Sequence, residues 1–483
     1  MSFDPTPEQA AIVTAARMTQ DNLLVSALAG AAKTSTLVLI AKALPSVPML
    51  CLAFNKRIAE EMKERLPGNC TAMTLNSLGH RAWGEYLGRR VMLDKDKNYN
   101  ILKALVDKLP KGDQGEAFEL FAETLKAMEQ GKAGGYVPTG HHPHAKRLVD
   151  DDDFFASLEE IPTKLQESLL RAATLQSINE GLDGKIDFSD QILLPTIFPA
   201  TFPNFPLILV DEAQDLSALN HATLKKLVRK RLIAVGDECQ AIYGFRGAHE
   251  NSMSLLRETF NMTTLGLSIS FRCPSSVVRE AQWRAPHMRW PEWAKEGTIT
   301  KAKEWDKATV PDTAAIICRN NSPLFSMAMK LLKNGRRPEI IGNDIGKYLV
   351  KVMKKFGASS ISRDEVIVAI QAWGEMKIKK SRDPGKVYDQ MACMTIFAEE
   401  GETLGDAIAY ANHLFETQGP IRLMTGHKSK GLEFDHVFIL DRELVRVDSH
   451  QQERNLLYVM QTRAKETLTY VSSESFFDER AES

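Results

Sequence analysis

The sequence predicts an α/β protein built on parallel sheets with helices on both faces. Three observations predict it. Residues 22–28 are an apolar, strand-length run, followed at 33–44 by a helical stretch that Pro45 stops. The pattern repeats at once, with a strand candidate at 48–54 and a helix candidate at 55–66. Strand-length runs return at 207–210, 232–235, 314–318, 339–341, 421–424 and 436–440, and a helix is expected at 451–462. Strands alternating with helices favour a parallel sheet, because each crossover helix covers a sheet face.

Two stretches break the alternation. Residues 98–176 are rich in Lys, Glu, Leu and Ala, with helical periodicity at 98–109 and 114–130. They run into GGYVPTGHHPH and then four aspartates at 150–153. This reads as a helical insertion with an exposed loop. His141, His142 and His144 have metal-ligand chemistry but no fourth ligand, so a surface loop is the preferred reading. Residues 360–418 are again mostly helical and charged, between two halves of a second α/β region that starts near Met262.

The chain has 483 residues, enough for about three domains at roughly 150 residues each. Hydrophobic residues are 43% and charged residues 25%, close to a globular average. No apolar run approaches the roughly 18 residues of a membrane span, and the N-terminus lacks the basic flank and apolar core of a signal peptide. The six cysteines form no CxxC pair, which fits reduced thiols in an intracellular protein. The net charge of -1 gives no argument for a polyanionic partner, nor does it exclude one held by local patches and backbone donors. Basic runs at 225–231, 333–337 and 377–382 read as solvated faces, with nucleic-acid contact as the alternative.

Phosphate chemistry enters at 26–37, SALAGAAKTSTL, which follows a strand and opens a helix. Backbone N–H groups around residues 30–34 and the helix N-terminus would wrap phosphates. Lys33 would reach the outer phosphates and the Thr34 hydroxyl would bind Mg²⁺. Ala27 and Ala32 fill both glycine positions of the usual pattern, so the segment alone also reads as an Ala-rich turn. A left-handed Ala32 would cost roughly 1–2 kcal/mol. A second element supports the phosphate reading: PLILVDEAQD at 206–215 is an apolar strand ending in paired carboxylates. Asp211 suits Mg²⁺ ligation and Glu212 a general base for water, against the alternative of an acidic helix cap.

At DEAQD and VGDECQAIYGFRGA (235–248) the sequence resembles the UvrD/Rep/PcrA group of superfamily 1 DNA helicases. Its short form looks most like the F-box DNA helicase branch and its phage relatives. The resemblance covers most of the chain in order. It runs through TPEQ, ALAGAAKT, LAFNKRIA, TLNSLGHRAW, KIDFSDQILL, SFRCP, LMTGHKSKGLEFDHVFIL and ERNLLYVMQTRAK.

The resemblance implies two RecA-like P-loop domains with helical insertions. The first would span 1–90 and 180–261, with insertion 1B at 91–179. The second would span 262–358 and 420–483, with a reduced 2B insertion at 359–419. It also assigns residue roles. The catalytic set is Lys33, Asp211, Glu212, Gln240, Arg272 and Arg463, the two arginines acting as fingers on the transferred phosphoryl group. ATP would be held by Gln9, which reads adenine, by Ala29, Gly30, Ala31, Ala32, Lys33, Thr34 and Ser35, and by Phe271, Gly431 and Glu433. Mg²⁺ would sit on Thr34 and Asp211.

DNA would meet the stacking aromatics Phe54, Tyr243 and Phe245, each of which read alone is core packing. Asn55, Thr74, Ser77, Thr425, His427 and Lys430 would touch backbone or sugar. Arg246 would link the two sites, while His80 reads equally as a buried structural histidine. The expected partners are single-stranded DNA, DNA junctions, and replication, repair or recombination proteins. No membrane is expected, and the setting would be a monomer inside the cell, in the cytoplasm if the source is bacterial or a phage.

Beyond the loop alanines, the sequence departs from the pattern at three points. Ser35 stands where relatives often carry an adenine-stacking Arg. Only about 60 residues remain for 2B. Residues 441–451 leave no room for the hairpin that splits a duplex in larger relatives. The expected activity is therefore ATP-driven 3′→5′ movement on single-stranded DNA with helicase action. The alternatives are a DNA-stimulated ATPase that remodels protein–DNA complexes, and a nucleotide-dependent regulator without turnover.

Overall fold

A computed structural model of the chain describes residues 4–53, 55–244, 251–342 and 344–476. It divides into two compact units. One comprises Met1–Ala27 with Ala32–Leu267, and the other Leu28–Ala31 with Ser268–Ser483.

The first unit holds a six-stranded sheet in the spatial order Cys70–Thr74, Met49–Ala53, Leu207–Val210, Arg231–Gly236, Leu23–Ala27, Thr263–Leu267. Every pairing is parallel. The central strands are buried on both faces, which explains why they read as unbroken apolar runs. The two edge strands escape that reading. CTAMT and TTLGL are half exposed and mix Thr and Gly with apolar residues. The second of them moves a boundary. Thr263–Leu267 pairs in register with Leu23–Ala27, so the first sheet extends past 261, where the second region was expected to begin.

The second unit holds another parallel six-stranded sheet, in the order Pro338–Ile340, Ile421–Thr425, Ala314–Cys318, Phe434–Leu440, Ala464–Val471, Thr298–Lys301. Both sheets carry helices on both sides, as expected. The helical segment between the sheet's two halves has three helices, Arg363–Ile378, Pro384–Glu399 and Leu404–Glu416. It has no separate core. Ile370, Phe397, Ala407 and Leu414 are buried in one cluster with Ile316 and Leu423 of the strands.

The first insertion differs in this respect. Leu102, Met128, Tyr136, Phe154 and Leu170 form a core of their own. The helical stretch expected over 114–130 is broken at Leu120, into Lys111–Glu119 and Phe121–Gly134. Two lysines of this insertion, Lys97 and Lys132, have no exposed surface. Lys97 Nζ donates to Asp190 Oδ2 at 2.6 Å and to the Ser177 carbonyl at 2.7 Å. Lys132 pairs with Asp190 Oδ1 at 2.7 Å and also with Asp187. Asp187 and Asp190 bond each other's backbone N–H as well. Burial would raise the Asp190 pKa, but Lys132 and Lys97 hold it below the usual value.

The quartet ties the insertion to the segment that supports the Leu75–Leu87 helix, where Asn76 donates to the Phe188 carbonyl and Gln191 bonds His80. A buried charge stripped of its partner is costly. Lys97→Met is therefore expected to destabilise the chain by about 3–5 kcal/mol, measured by urea unfolding. An exposed lysine such as Lys103, changed the same way, should shift stability by less than about 0.5 kcal/mol.

Candidate functional site

Parallel strands deliver their following loops to one edge of a sheet, and ligands of such sheets bind outside those carboxyl ends. In the first unit this edge collects seven of the residues singled out above. Lys33 and Thr34 follow Leu23–Ala27, Asn55 follows Met49–Ala53, and Thr74 closes Cys70–Thr74. Asp211 and Glu212 follow Leu207–Val210, and Gln240 follows Arg231–Gly236.

The loop before Lys33 turns through two left-handed residues, one of them an alanine. Gly30 has φ +73° and Ala32 is left-handed at φ 55°, ψ 43°, so the helix Lys33–Ala43 starts from a strained methyl-bearing residue. Thr34 Oγ1 donates to Asp211 Oδ2 at 2.9 Å. Lys33 Nζ lies 3.4 Å from Glu212 Oε2. Glu212 is itself left-handed, at φ 51°. Burial first, then the neighbouring Glu212 charge, push Asp211 up to about 6, against the pull of Lys33 and Thr34. A hydroxyl and a charge-starved carboxylate side by side are the hard oxygen donors that suit Mg²⁺.

Two residues that the sequence reading passed over complete the edge. Gln214 Nε2 donates to Glu212 Oε2 at 2.6 Å, and its Oε1 accepts from the Asp237 N–H at 2.9 Å. Asp237 Oδ2 accepts from Gln240 Nε2 at 2.6 Å, and burial raises the Asp237 pKa. A polar chain thus runs Lys33–Glu212–Gln214–Asp237–Gln240. Both residues lie inside the DEAQD and VGDECQ motifs, which is the signal that points to them.

Other residues of this unit make local contacts. Gln9 is 6% exposed and its amide is used internally, with Nε2 donating to Thr36 Oγ1 and Oε1 capping the Thr6 N–H, both at 3.1 Å. Ser35 accepts from Arg65 Nη2 at 2.9 Å. Asn55 and Thr74 cap the helices that follow them, and Thr74 bonds the Ser77 hydroxyl at 3.1 Å. Tyr243 is half-buried. Phe54, Phe245 and Arg246 lie outside the described residues.

Within the second unit, Arg272 Nη2 pairs with Glu433 Oε1 at 2.6 Å, close to Gly431 at φ +82°. Phe271 stacks on Trp293 with ring centroids 6.2 Å apart. Arg463 is buried, and its guanidinium donates to the Val459 and Leu432 carbonyls and to Thr462. Burial and the like charge of Arg272 lower the Arg463 pKa to about 10. Thr425 ends the strand Ile421–Thr425 and His427 and Lys430 follow it, all three half-buried. The basic runs prove partly structural: Arg231 donates to the Ala16 carbonyl, and Arg336 to the Val310 carbonyl.

Hydroxyl, lysine and carboxylates at the strand ends form an arrangement that suits a nucleotide's phosphates. Residues 6–261 match the family model described as UvrD/REP helicase N-terminal domain, and residues 420–471 match UvrD-like helicase C-terminal domain. The chain belongs to the UvrD/REP helicase family. It is similar to F-box DNA helicase protein 1 of Schizosaccharomyces pombe, 24% identical over 96% of this chain and 57% of that protein. It is also similar to F-box DNA helicase 1 of Gallus gallus, 26% identical over 92% of this chain and 46% of that protein. DNA helicase II of Escherichia coli is 25% identical over 54% of this chain and 38% of its own length. The chain spans about half the length of the two F-box relatives. No helix among the described residues is long and apolar enough to cross a membrane.

Two outcomes follow. A glycine at Ala32 removes the left-handed penalty, so Ala32→Gly is expected to raise stability by roughly 0.5–1 kcal/mol, read from chemical denaturation. Asp211 binds its proton more tightly folded than unfolded. The folded state therefore loses stability as pH rises from about 4 through about 6. In metal-free, nucleotide-free buffer, Asp211→Asn should melt higher than the parent above pH 6, with the difference vanishing near pH 4.

Proposed function

We propose that the chain is an ATP-hydrolysing motor that moves along single-stranded DNA, in the 3′→5′ direction, with DNA helicase activity. The observation that carries the reading is the Thr34–Asp211 and Lys33–Glu212 arrangement at the strand ends, inside a chain of the UvrD/REP helicase family. Relatives named as DNA helicases supply the substrate class.

Lys33 is held by Glu212 in this structure. A triphosphate competes for Lys33, which frees Glu212 to take a proton from the attacking water. Thr34 and Asp211 would hold Mg²⁺, which would neutralise phosphate charge. Gln240, reached from Glu212 through Gln214 and Asp237, carries the state of that carboxylate toward Tyr243 and the DNA-contact segments. Arg272 is the better candidate to meet the phosphoryl group, since its partner Glu433 is exposed whereas Arg463 is bound to carbonyls. Asn55, Thr74, Ser77, Thr425, His427 and Lys430 contact the DNA strand.

A second reading has a specific observation behind it. Residues 441–450 hold two short turns, Arg442–Leu444 and 447–449, and no strand pair. Such a chain suits remodelling of protein–DNA complexes better than processive unwinding.

ATPase turnover should rise on adding single-stranded DNA, and Glu212→Gln should lower it by about 10²–10⁴-fold. Turnover untouched by Glu212→Gln or Lys33→Ala would reject the motor. Displacement of 3′-tailed but not 5′-tailed duplexes is the expected polarity, and the reverse outcome would overturn it. Stimulated turnover with no displacement of either duplex selects the second reading.

A further inference from the structure

We propose that one face of the Asp344–Met353 helix is an additional nucleic-acid track that binds the phosphate backbone. The proposal rests on the DNA-binding reading above and extends it to residues that no motif includes.

Lys347, Lys351 and Lys354 recur at a spacing of four and three residues, which places them on one helical face. Lys354 continues that face in the turn closing the helix, where its N–H bonds the Val350 carbonyl at 3.0 Å. All three are exposed, and no ion pair among the described residues engages them. They line a groove of about 410 Å³ between this helix and Leu404–Glu416. Gly346 makes the groove possible. A Cβ there would lie 2.4 Å from the Phe415 ring, so only glycine lets the two helices approach this closely. One carboxylate, Glu416, lines the groove with the three lysines.

The lysine row continues toward a candidate DNA segment. At the helix start, Lys428 Nζ lies 3.5 Å from Asp344 Oδ2. The preceding loop presses on the same side chain, since a Cβ at Gly342 would be 2.9 Å from Lys428 Cε. Lys428 lies between His427 and Lys430 of the segment proposed to touch DNA. The Lys347–Lys354 row covers about 10 Å along the helix axis. A series of ammonium point charges on flexible stems can follow repeating phosphates without reading sequence. Continuity with the 425–430 segment favours nucleic acid over an acidic protein.

The test is the salt dependence of single-stranded oligonucleotide binding to the full chain, followed by fluorescence anisotropy. Each phosphate contact contributes about 0.7 to the slope of log K against log salt. Lys347→Ala, Lys351→Ala and Lys354→Ala together should lower that slope by about 2 and weaken binding at low salt. Asn412→Lys, which adds a cation to the same groove, should raise the slope by about 0.7. Unaltered melting temperatures establish that both variants fold. Wild-type binding with unchanged slopes in both variants overturns the track alone, and leaves the groove for an acidic protein. A wild-type chain that binds no DNA overturns the DNA reading as a whole and the track with it.

Discussion

The site depends on one electrostatic constraint. Two adjacent carboxylates end the Leu207–Val210 strand, with one lysine within reach of them. Asp211 is buried beside Thr34 of the Lys33–Ala43 helix, where a negative charge is poorly solvated. Glu212, left-handed at its backbone and partly exposed, raises the cost of charging Asp211 further. The remaining polar groups of this edge answer to that pair. Thr34 donates to the buried carboxylate, while Gln214 donates to the outer one and accepts from the next loop. The strain at Ala32 and Glu212 is local and sits where phosphate chemistry is expected, as backbone strain at working sites commonly does.

The central strands were legible because burial on both faces demands unbroken apolar runs, as in LILV and AAIIC. Edge strands such as Thr263–Leu267 were not, since half their surface meets solvent and their composition resembles a loop. The phosphate loop and the carboxylate pair were legible from motif chemistry. Gln9 shows the limit of that approach. A motif names a residue type, while its hydrogen-bond partners depend on the fold: Thr6 caps it locally, but Thr36 is 27 residues away. The same limit hid the lysine row of the Asp344–Met353 helix. Its spacing was visible, but the groove beside it is made by a helix some 60 residues later.

The two helical insertions embody different physical solutions. The first has its own apolar core and a buried charge network, and so has the makings of a separate body. The second lends its apolar faces to the sheet it interrupts, so Phe397 and Leu414 cannot leave Ile316 and Leu423 without opening that core. A segment built in this way moves with its sheet.

The strand order has a consequence for how the chain acquires its structure. Met49–Ala53 and Leu207–Val210 are neighbours in the sheet, yet the whole first insertion lies between them in sequence. Emerging from the ribosome, the early strands have no central partner until the chain has grown past residue 210, and loop closure over such a distance is slow. The insertion, with its local contacts, is placed to fold first and bring the two strands together. A chain interrupted before that point presents MLCLA as an unpaired apolar edge, the kind of surface on which nascent chains aggregate.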